Sequence, residues 1–174
     1  VIAITAGTAV IVKSGAGNDT ISIVGSSNAA VYGEEDDDAI TVTGGTYAYV
    51  NGGSGNDTIR VSDASNSSVW SGDGDDSIAV TGGTHARVNG WSGNDAISIS
   101  GVDSVEAYGG YDNDIISVTS VSSASVDGGL GDDTMFVSAT SATIDGSEGI
   151  DQITVSGAGK NTVTLGGAGA SLTF

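Results

Sequence analysis

Eight aspartates that recur at a nearly constant spacing are the residues best suited to chemistry in this chain. The first seven stand at every nineteenth position, and the last step is one position shorter: Asp19, Asp38, Asp57, Asp76, Asp95, Asp114, Asp133 and Asp151. Each follows a turn of the type NGGSGND (51–57). Calcium takes roughly six to eight oxygen ligands, which carboxylates and turn carbonyls can supply. The spacing predicts about seven calcium ions, one in each gap between successive turns.

The segments that must position these aspartates have the pattern of short β-strands. After each aspartate, two apolar residues stand two positions apart, as Ile21 and Ile23 do in the first copy. A spacing of two places both side chains on one face of a strand. A second alternating pair, such as Val10 and Val12, lies later in each repeat, and its last copy is assigned to Val163 and Leu165 after a two-residue insertion.

Two short strands in one repeat cannot bury an apolar core alone, but stacked copies can. The repeat therefore predicts an all-β, right-handed parallel β-solenoid of about nine coils, with two short strands per coil and calcium along one edge. Repeats continue from end to end, so residues 1–174 are expected to form a single domain. The absence of proline agrees with strands that need every backbone N–H.

The chain is strongly acidic, with 22 acidic residues, four basic residues and a formal net charge of −18. This charge argues against nucleic acid as a partner, and no apolar run is long enough for membrane insertion. Two carboxylates about 5 Å apart repel each other by about 1 kcal/mol in water and about 3 kcal/mol at an effective dielectric constant of 20. Seven calcium ions carry +14 and would change −18 to −4. The alternative is a solvated acidic edge without metal.

No catalytic residues are predicted, and the chain is expected not to be an enzyme. It has no cysteine, and His85 is its only histidine. The strand pattern places His85 on an outward face beside Arg87, where a solvent-exposed role is the simpler interpretation. A Ser-His-Asp arrangement has no other candidate base.

The turn consensus resembles the calcium-binding β-roll repeats of the RTX (repeats-in-toxin) family, over essentially the whole chain. The resemblance implies a bacterial protein secreted by a type I system to the extracellular space or cell surface, which folds on meeting calcium. It also implies that the eight aspartates and the preceding turn carbonyls are ligands. The chain departs from the family in the opposite turn, TGGT at 43–46 and 81–84, which lacks aspartate. Glu34, Asp36 and Asp112 also replace turn glycines.

A coil of this length with calcium on one side is similar to the calcium-dependent antifreeze region of bacterial ice adhesins, which raises ice binding as a function. That family presents regular outward threonines. The corresponding positions here contain no threonine: Ala16, Glu35, Ser54, Asp73, Ser92, Tyr111, Leu130 and Glu148. Arg60 and Phe136 also interrupt an outward row of the first strand.

Alternate coils resemble each other more than adjacent coils do. Tyr32, Trp70 and Tyr108 occupy one position in every second coil. Duplication of a two-coil unit is the simpler explanation. Alternatively, the row repeats at about 9.6 Å, twice the strand spacing, and binds sugar rings or a partner.

These observations favour a secreted, calcium-binding structural solenoid that serves as a fibre, surface-layer or adhesin segment. The alternatives are an ice-binding module and the RTX folding and secretion domain of a larger secreted enzyme. Neither VIAITAG (1–7) nor SLTF (171–174) has the polar character of a solenoid cap. Two hypotheses follow from this: head-to-tail stacking of the chain on itself into filaments, or a trimmed fragment.

Overall fold

A computed structural model describes the backbone of residues 1–174 and the side chains of residues 1–5 and 7–174. The chain forms one sheet of 15 strands. The strands are β1 Ile2–Ala16, β2 Thr20–Glu35, β3 Ala39–Thr43, β4 Tyr49–Ser54, β5 Thr58–Ser62, β6 Ser67–Asp73, β7 Ser77–Thr81, β8 His85–Ser92, β9 Ala96–Ser100, β10 Ser104–Tyr111, β11 Ile115–Leu130, β12 Thr134–Glu148, β13 Gln152–Ser156, β14 Lys160–Thr164 and β15 Ser171–Thr173.

The strand pairings convert the sequence period into stacked coils. The pairings between these strands are parallel, and residues pair with their equivalents one repeat later: Ile21 with Ile40, Ile40 with Ile59, and Val31 with Val50. The prediction of a parallel β-solenoid of about nine coils is confirmed. None of the described residues belongs to a helix long and apolar enough to cross a membrane.

Four coils differ from the expected pair of short strands. β1, β2, β11 and β12 are each 15 or 16 residues long and follow the chain around the turn opposite the aspartates. Here the backbone pairing continues through the turn, as between Gly7 and Ser26. In the coils that contain Gly44-Gly45 and Gly82-Gly83, the strands are interrupted at this turn.

The irregular step before Asp151 is also located by the register. Thr119 pairs with Ser138, one full repeat later, whereas Val121 pairs with Ala139, one position short of a full repeat. The missing residue therefore lies in the turn opposite the aspartates, and Asp151 stays in line with the rest.

The two-residue insertion expected before Val163 and Leu165 is wrong, although both side chains pack against the core. Ile144 pairs with Val163 and Ala142 with Asn161, each one full repeat later, so there is no insertion. Alternation of apolar residues alone favoured the more apolar pair, whereas hydrogen bonding to the preceding strand fixes the register one pair earlier.

The core is a continuous column of small aliphatic side chains between the two strand faces. Ile59, Val61 and Val69 are each no more than 1% exposed, and the same positions are buried in the neighbouring coils. Truncating one such isoleucine to alanine costs about 2–5 kcal/mol. The core therefore holds the turns that carry the aspartates in register.

Candidate metal-binding column

The structure brings the eight aspartates into one column. Each aspartate directly precedes a strand, and these strands pair in register from coil to coil. The backbone N–H of Thr58 donates to the carbonyl of Asp38, and that of Ser77 donates to the carbonyl of Asp57. The seven aspartates from Asp38 to Asp151 are no more than 3% exposed. Asp19 differs, with a side chain that is 25% exposed.

One carboxylate oxygen of each buried aspartate is paired with the preceding coil. Asp38 Oδ1 accepts the backbone N–H of Asp19 at 2.7 Å, and Asp57 Oδ1 accepts that of Asp38 at 2.8 Å. The equivalent bonds continue to Asp151 with lengths of 2.6–3.1 Å. The other oxygen, Oδ2, is buried without a hydrogen-bond partner in all seven. A buried carboxylate oxygen of this kind requires a proton or a cation.

In most turns a glycine makes room for this unpaired oxygen. A Cβ atom on Gly52 would collide with Asp57 Oδ2 and with the carbonyl oxygen of Ser71, in the next coil. A Cβ atom on Gly90 would likewise meet Asp95 Oδ2 and the carbonyl of Gly109. Oxygens from two coils therefore converge on one point, which is where a cation shared by two turns would bind.

Two coils carry serine at this glycine position. Ser14 and Ser71 are level with Gly33 and Gly52 in the strand register. Their hydroxyl groups donate to the carbonyls of Gly33 at 2.7 Å and Gly90 at 2.8 Å. In the coils that carry glycine instead, the equivalent carbonyl oxygens lie beside the aspartate Oδ2. The sequence analysis did not distinguish this position, although the recurring first glycine of each turn was a signal for it.

Among the described side chains, no group of three or more His, Cys, Asp or Glu residues converges on one point. A cation in the column would therefore take two kinds of oxygen, the aspartate Oδ2 and backbone carbonyls. This donor set suits calcium, which accepts carbonyl ligands and variable geometry, better than it suits a metal that prefers nitrogen or sulfur.

Electrostatics favours aspartates in the column that are either protonated or neutralised by a cation. Burial, together with repulsion from neighbouring aspartates, raises the pKa of Asp57 to about 7 and that of Asp95 to about 8, against the lowering effect of the backbone hydrogen bond that each accepts. For the same reasons the pKa of Asp114 is about 7 and that of Asp133 about 6. Burial also raises the pKa values of Asp38, Asp76 and Asp151.

A second ladder stabilises the outside of the same turns. Asn56 donates its backbone N–H to Asp37 Oδ1 at 2.7 Å, and Asn56 Oδ1 accepts the N–H of Asp75 at 2.8 Å. These side chains bond to the following coil, whereas the buried aspartates bond to the preceding one. Hydrogen bonds from the backbone and side chain of Asn94 lower the pKa of Asp75, so this outer carboxylate stays ionised. Each turn is thus bonded on both sides.

The turns that lack consensus glycines keep a positive φ angle at the positions where other coils have glycine. Glu34, Asp36 and Asp112 have φ angles of 81°, 73° and 74°, the left-handed region that glycine occupies in the other coils. Asp36 is exposed, and its Oδ2 accepts the N–H of Gly17 at 2.9 Å. The additional carboxylate of Asp36 therefore lies outside the buried column.

Fold and site together define a parallel β-solenoid with a buried carboxylate column on one side. The chain matches no protein-family model, no curated protein and no solved structure. The functional inference consequently rests on this geometry.

Proposed function

We propose that this chain is a non-enzymatic, calcium-binding structural solenoid whose coils are joined by about seven calcium ions along the aspartate column. The observation that supports it is the set of seven buried Asp Oδ2 atoms without hydrogen-bond partners, six of them beside a glycine and the seventh, that of Asp76, in the turn that carries Ser71. Asp19, the eighth aspartate, completes the first gap from a more exposed position.

In this proposal the two oxygens of each buried aspartate have different partners. Oδ1 holds the backbone of the preceding turn, and Oδ2 faces the cation with the carbonyls of the next turn. Bound calcium supplies positive charge and additional oxygen coordination. Because each ion contacts two coils, binding is coupled to the stacking of those coils.

The biological setting that we propose is the bacterial cell surface or extracellular space, with the chain serving as a fibre, surface-layer or adhesin segment. Extracellular calcium sites bind at about 10⁻⁴–10⁻³ M, so such a segment stays unfolded until it meets millimolar calcium. Head-to-tail stacking into filaments belongs to this proposal. Light scattering that detects only monomers at high protein and calcium concentrations would remove it.

Far-ultraviolet circular dichroism with calorimetric calcium titration tests the central proposal. At neutral pH, excess chelator is expected to abolish most of the strand signal, and millimolar calcium to restore it with about seven ions bound per chain. Magnesium at equal concentration is the control, since its smaller octahedral shell is poorly served by backbone carbonyls. An unchanged spectrum in excess chelator would overturn the proposal.

Ice binding is less well supported by the surfaces of the solenoid. A regular ice-binding face needs a flat, repetitive and weakly charged row. Arg60 is level with Thr41 and Ala79 in one outward row, and Phe136, which is 40% exposed, lies further along it. A thermal-hysteresis measurement in calcium buffer separates this alternative from a purely structural function.

A further inference from the structure

Two shallow clefts with equivalent lining residues lie on the outer face of the neighbouring strands β4, β6, β8, β10 and β11. Asn51, Gly53, Trp70, Gly72, Asp73 and Trp91 line the first, which has a volume of about 320 Å³. The second has a volume of about 260 Å³, and six of its residues stand two repeats later: Asn89, Trp91, Tyr108, Gly110, Tyr111 and Gly129. The clefts are therefore two coils apart, about 9.6 Å at the ordinary strand spacing.

Trp91 is the wall that the two clefts share. Its ring centroid is 6.2 Å from that of Trp70, with an angle of 49° between the planes, and 48% of its surface is exposed. Its neighbours in the strand register are Gly72 and Gly110, which form glycine floors on either side. Both tryptophans of the chain thus lie on this face.

The backbone of Trp91 is itself unusual. Its φ is 82°, in the left-handed region, where Gly72 and Gly110 stand in the adjacent coils. A bulky residue is strained in such a conformation, and such strain is concentrated at functional sites. Glycine would adopt this backbone conformation without strain, so the indole ring of Trp91 is present despite an unfavourable φ.

Arg87 holds the remaining rings in place. Its guanidinium carbon is 5.9 Å from the ring centroid of Trp70 and 5.2 Å from that of Tyr108, which is within cation–π range. Glu106 pairs with the same guanidinium at 3.6 Å. The aromatic surface is therefore pre-organised, which reduces the entropy lost when a ligand binds.

From these features we infer that the two clefts bind one extended, neutral β-1,4-linked glycan, with a disaccharide unit in each. Aromatic rings pack against the apolar faces of sugars, and Asn51, Asn89 and Asp73 offer donors and acceptors for hydroxyl groups. The repeat of two coils is close to the length of a disaccharide in an extended β-1,4 chain. The net charge of −18 disfavours an anionic glycan.

The pair of coils before the first cleft shows why the site is limited to two clefts. The equivalent cleft there is lined by Gly15, Ala16, Glu34 and Glu35. Glu34 stands where Gly72 and Gly110 form the floors, and the ammonium group of Lys13 lies 5.1 Å from the ring centroid of Tyr32. The glycan-binding surface is therefore the segment from Asn51 to Leu130.

Tryptophan fluorescence and calorimetry in calcium buffer test this inference with defined sugars. Cellohexaose or hexa-N-acetylchitohexaose is expected to change the fluorescence and to bind at least tenfold more tightly than cellobiose, because only the longer chains span both clefts. Maltohexaose, whose α-linked chain curves, and anionic hexagalacturonate are expected to bind at least tenfold more weakly than the β-linked hexamers. Absence of binding by both β-linked hexamers at millimolar concentration would overturn the inference, as would equal binding of maltohexaose.

Trp91→Gly is the decisive variant, because the neighbouring coils show that glycine suits its backbone. It is expected to keep the circular dichroism spectrum of the parent and a melting temperature at least as high, because it relieves the left-handed φ of a bulky residue, while binding the hexamer at least tenfold more weakly. Phe136→Ser, which removes an exposed ring on the other strand set and copies Ser117 of the adjacent coil, should leave binding unchanged. Parent-like binding by Trp91→Gly would overturn the site. So would sedimentation data that show self-association dependent on Trp91, since the occupant would then be a second copy of the chain.

Discussion

Asp57 Oδ2 lies in the space that a Cβ atom on Gly52 would need, earlier in the same turn. The carboxylate is buried there, and its other oxygen accepts the backbone N–H of Asp38 at 2.8 Å. The same relationship between a glycine and a buried aspartate repeats in most coils, so this pair is the repeating unit of the column.

Replacing Asp57 by asparagine is expected to have opposite effects with and without calcium. The amide removes the Oδ2 ligand from the one gap that this turn shares with the next coil, so the calcium stoichiometry should fall by about one and the calcium-induced rise in melting temperature should shrink. In metal-free protein at pH 8, where the parent is expected to be mostly unfolded, the same change removes a buried charge and should increase the residual strand signal in circular dichroism. Calorimetry and thermal melts measure the first effect, and circular dichroism measures the second.

Asp63→Asn is the matched control, since Asp63 is an exposed acid on the opposite turn with a left-handed φ of 53° that asparagine tolerates. It removes the same formal charge without touching the column. Equal effects of Asp57→Asn and Asp63→Asn on calcium binding would contradict the site assignment.

Exchange of glycine and serine at the turn position should shift calcium affinity in both directions. Ser71→Gly frees the carbonyl of Gly90 from a 2.8 Å hydrogen bond and should tighten calcium binding near Asp76. Gly52→Ser introduces a side chain where Asp57 Oδ2 lies and should weaken binding in the neighbouring gaps. A change of 1 kcal/mol corresponds to about 2–4 °C in melting temperature for a chain of this size. Melting-temperature shifts of the same sign in calcium would argue against a ligand role for these carbonyls.

Metal-free protein is expected to lose stability as the pH rises. An unfolded aspartate titrates near 3.8, whereas burial raises the folded pKa of Asp57 to about 7 and that of Asp95 to about 8. Between these values the folded state binds protons that the unfolded state has released, so the free energy of unfolding falls with rising pH. Stability is thus greatest below about pH 4 and is lost towards pH 8, where calcium should restore it.

Melting curves of calcium-free protein at several pH values between 4 and 8 measure this dependence. The same series in millimolar calcium is the control and should be flatter, because calcium replaces the protons. A melting temperature that increases with pH in the absence of calcium would show that the aspartates are not buried as described.

Relief of backbone strain should stabilise one turn more than another. Asp112 and Asp36 have left-handed φ angles of 74° and 73°. Left-handed backbone costs a residue other than glycine about 1–2 kcal/mol, so Asp112→Gly should raise the melting temperature. Asp36→Gly should gain less, since it also loses the 2.9 Å hydrogen bond from Gly17. A larger gain for Asp36→Gly in calorimetric melts would refute this difference.

The sequence alone determined the fold and the membership of the column. In a parallel, in-register stack, a constant period becomes a straight row in space, so equal spacing was enough to place Asp38, Asp57 and their equivalents in one line. Alternation of apolar residues was likewise enough to identify the buried face, whereas hydrogen bonding to the preceding strand determined the register of Val163 and Leu165.

Tertiary structure decided what a one-dimensional period does not contain, namely contacts between different positions of neighbouring coils. It distinguished Asp Oδ1, which accepts a backbone N–H, from Oδ2, which does not. It left Asp19 more exposed than the other seven aspartates. It also brought Trp91, a residue near the end of β8 and outside the row of Tyr32, Trp70 and Tyr108, against Trp70. Side-chain direction depends on local φ and on the size of the neighbours, and these are properties of the stack rather than of the repeat.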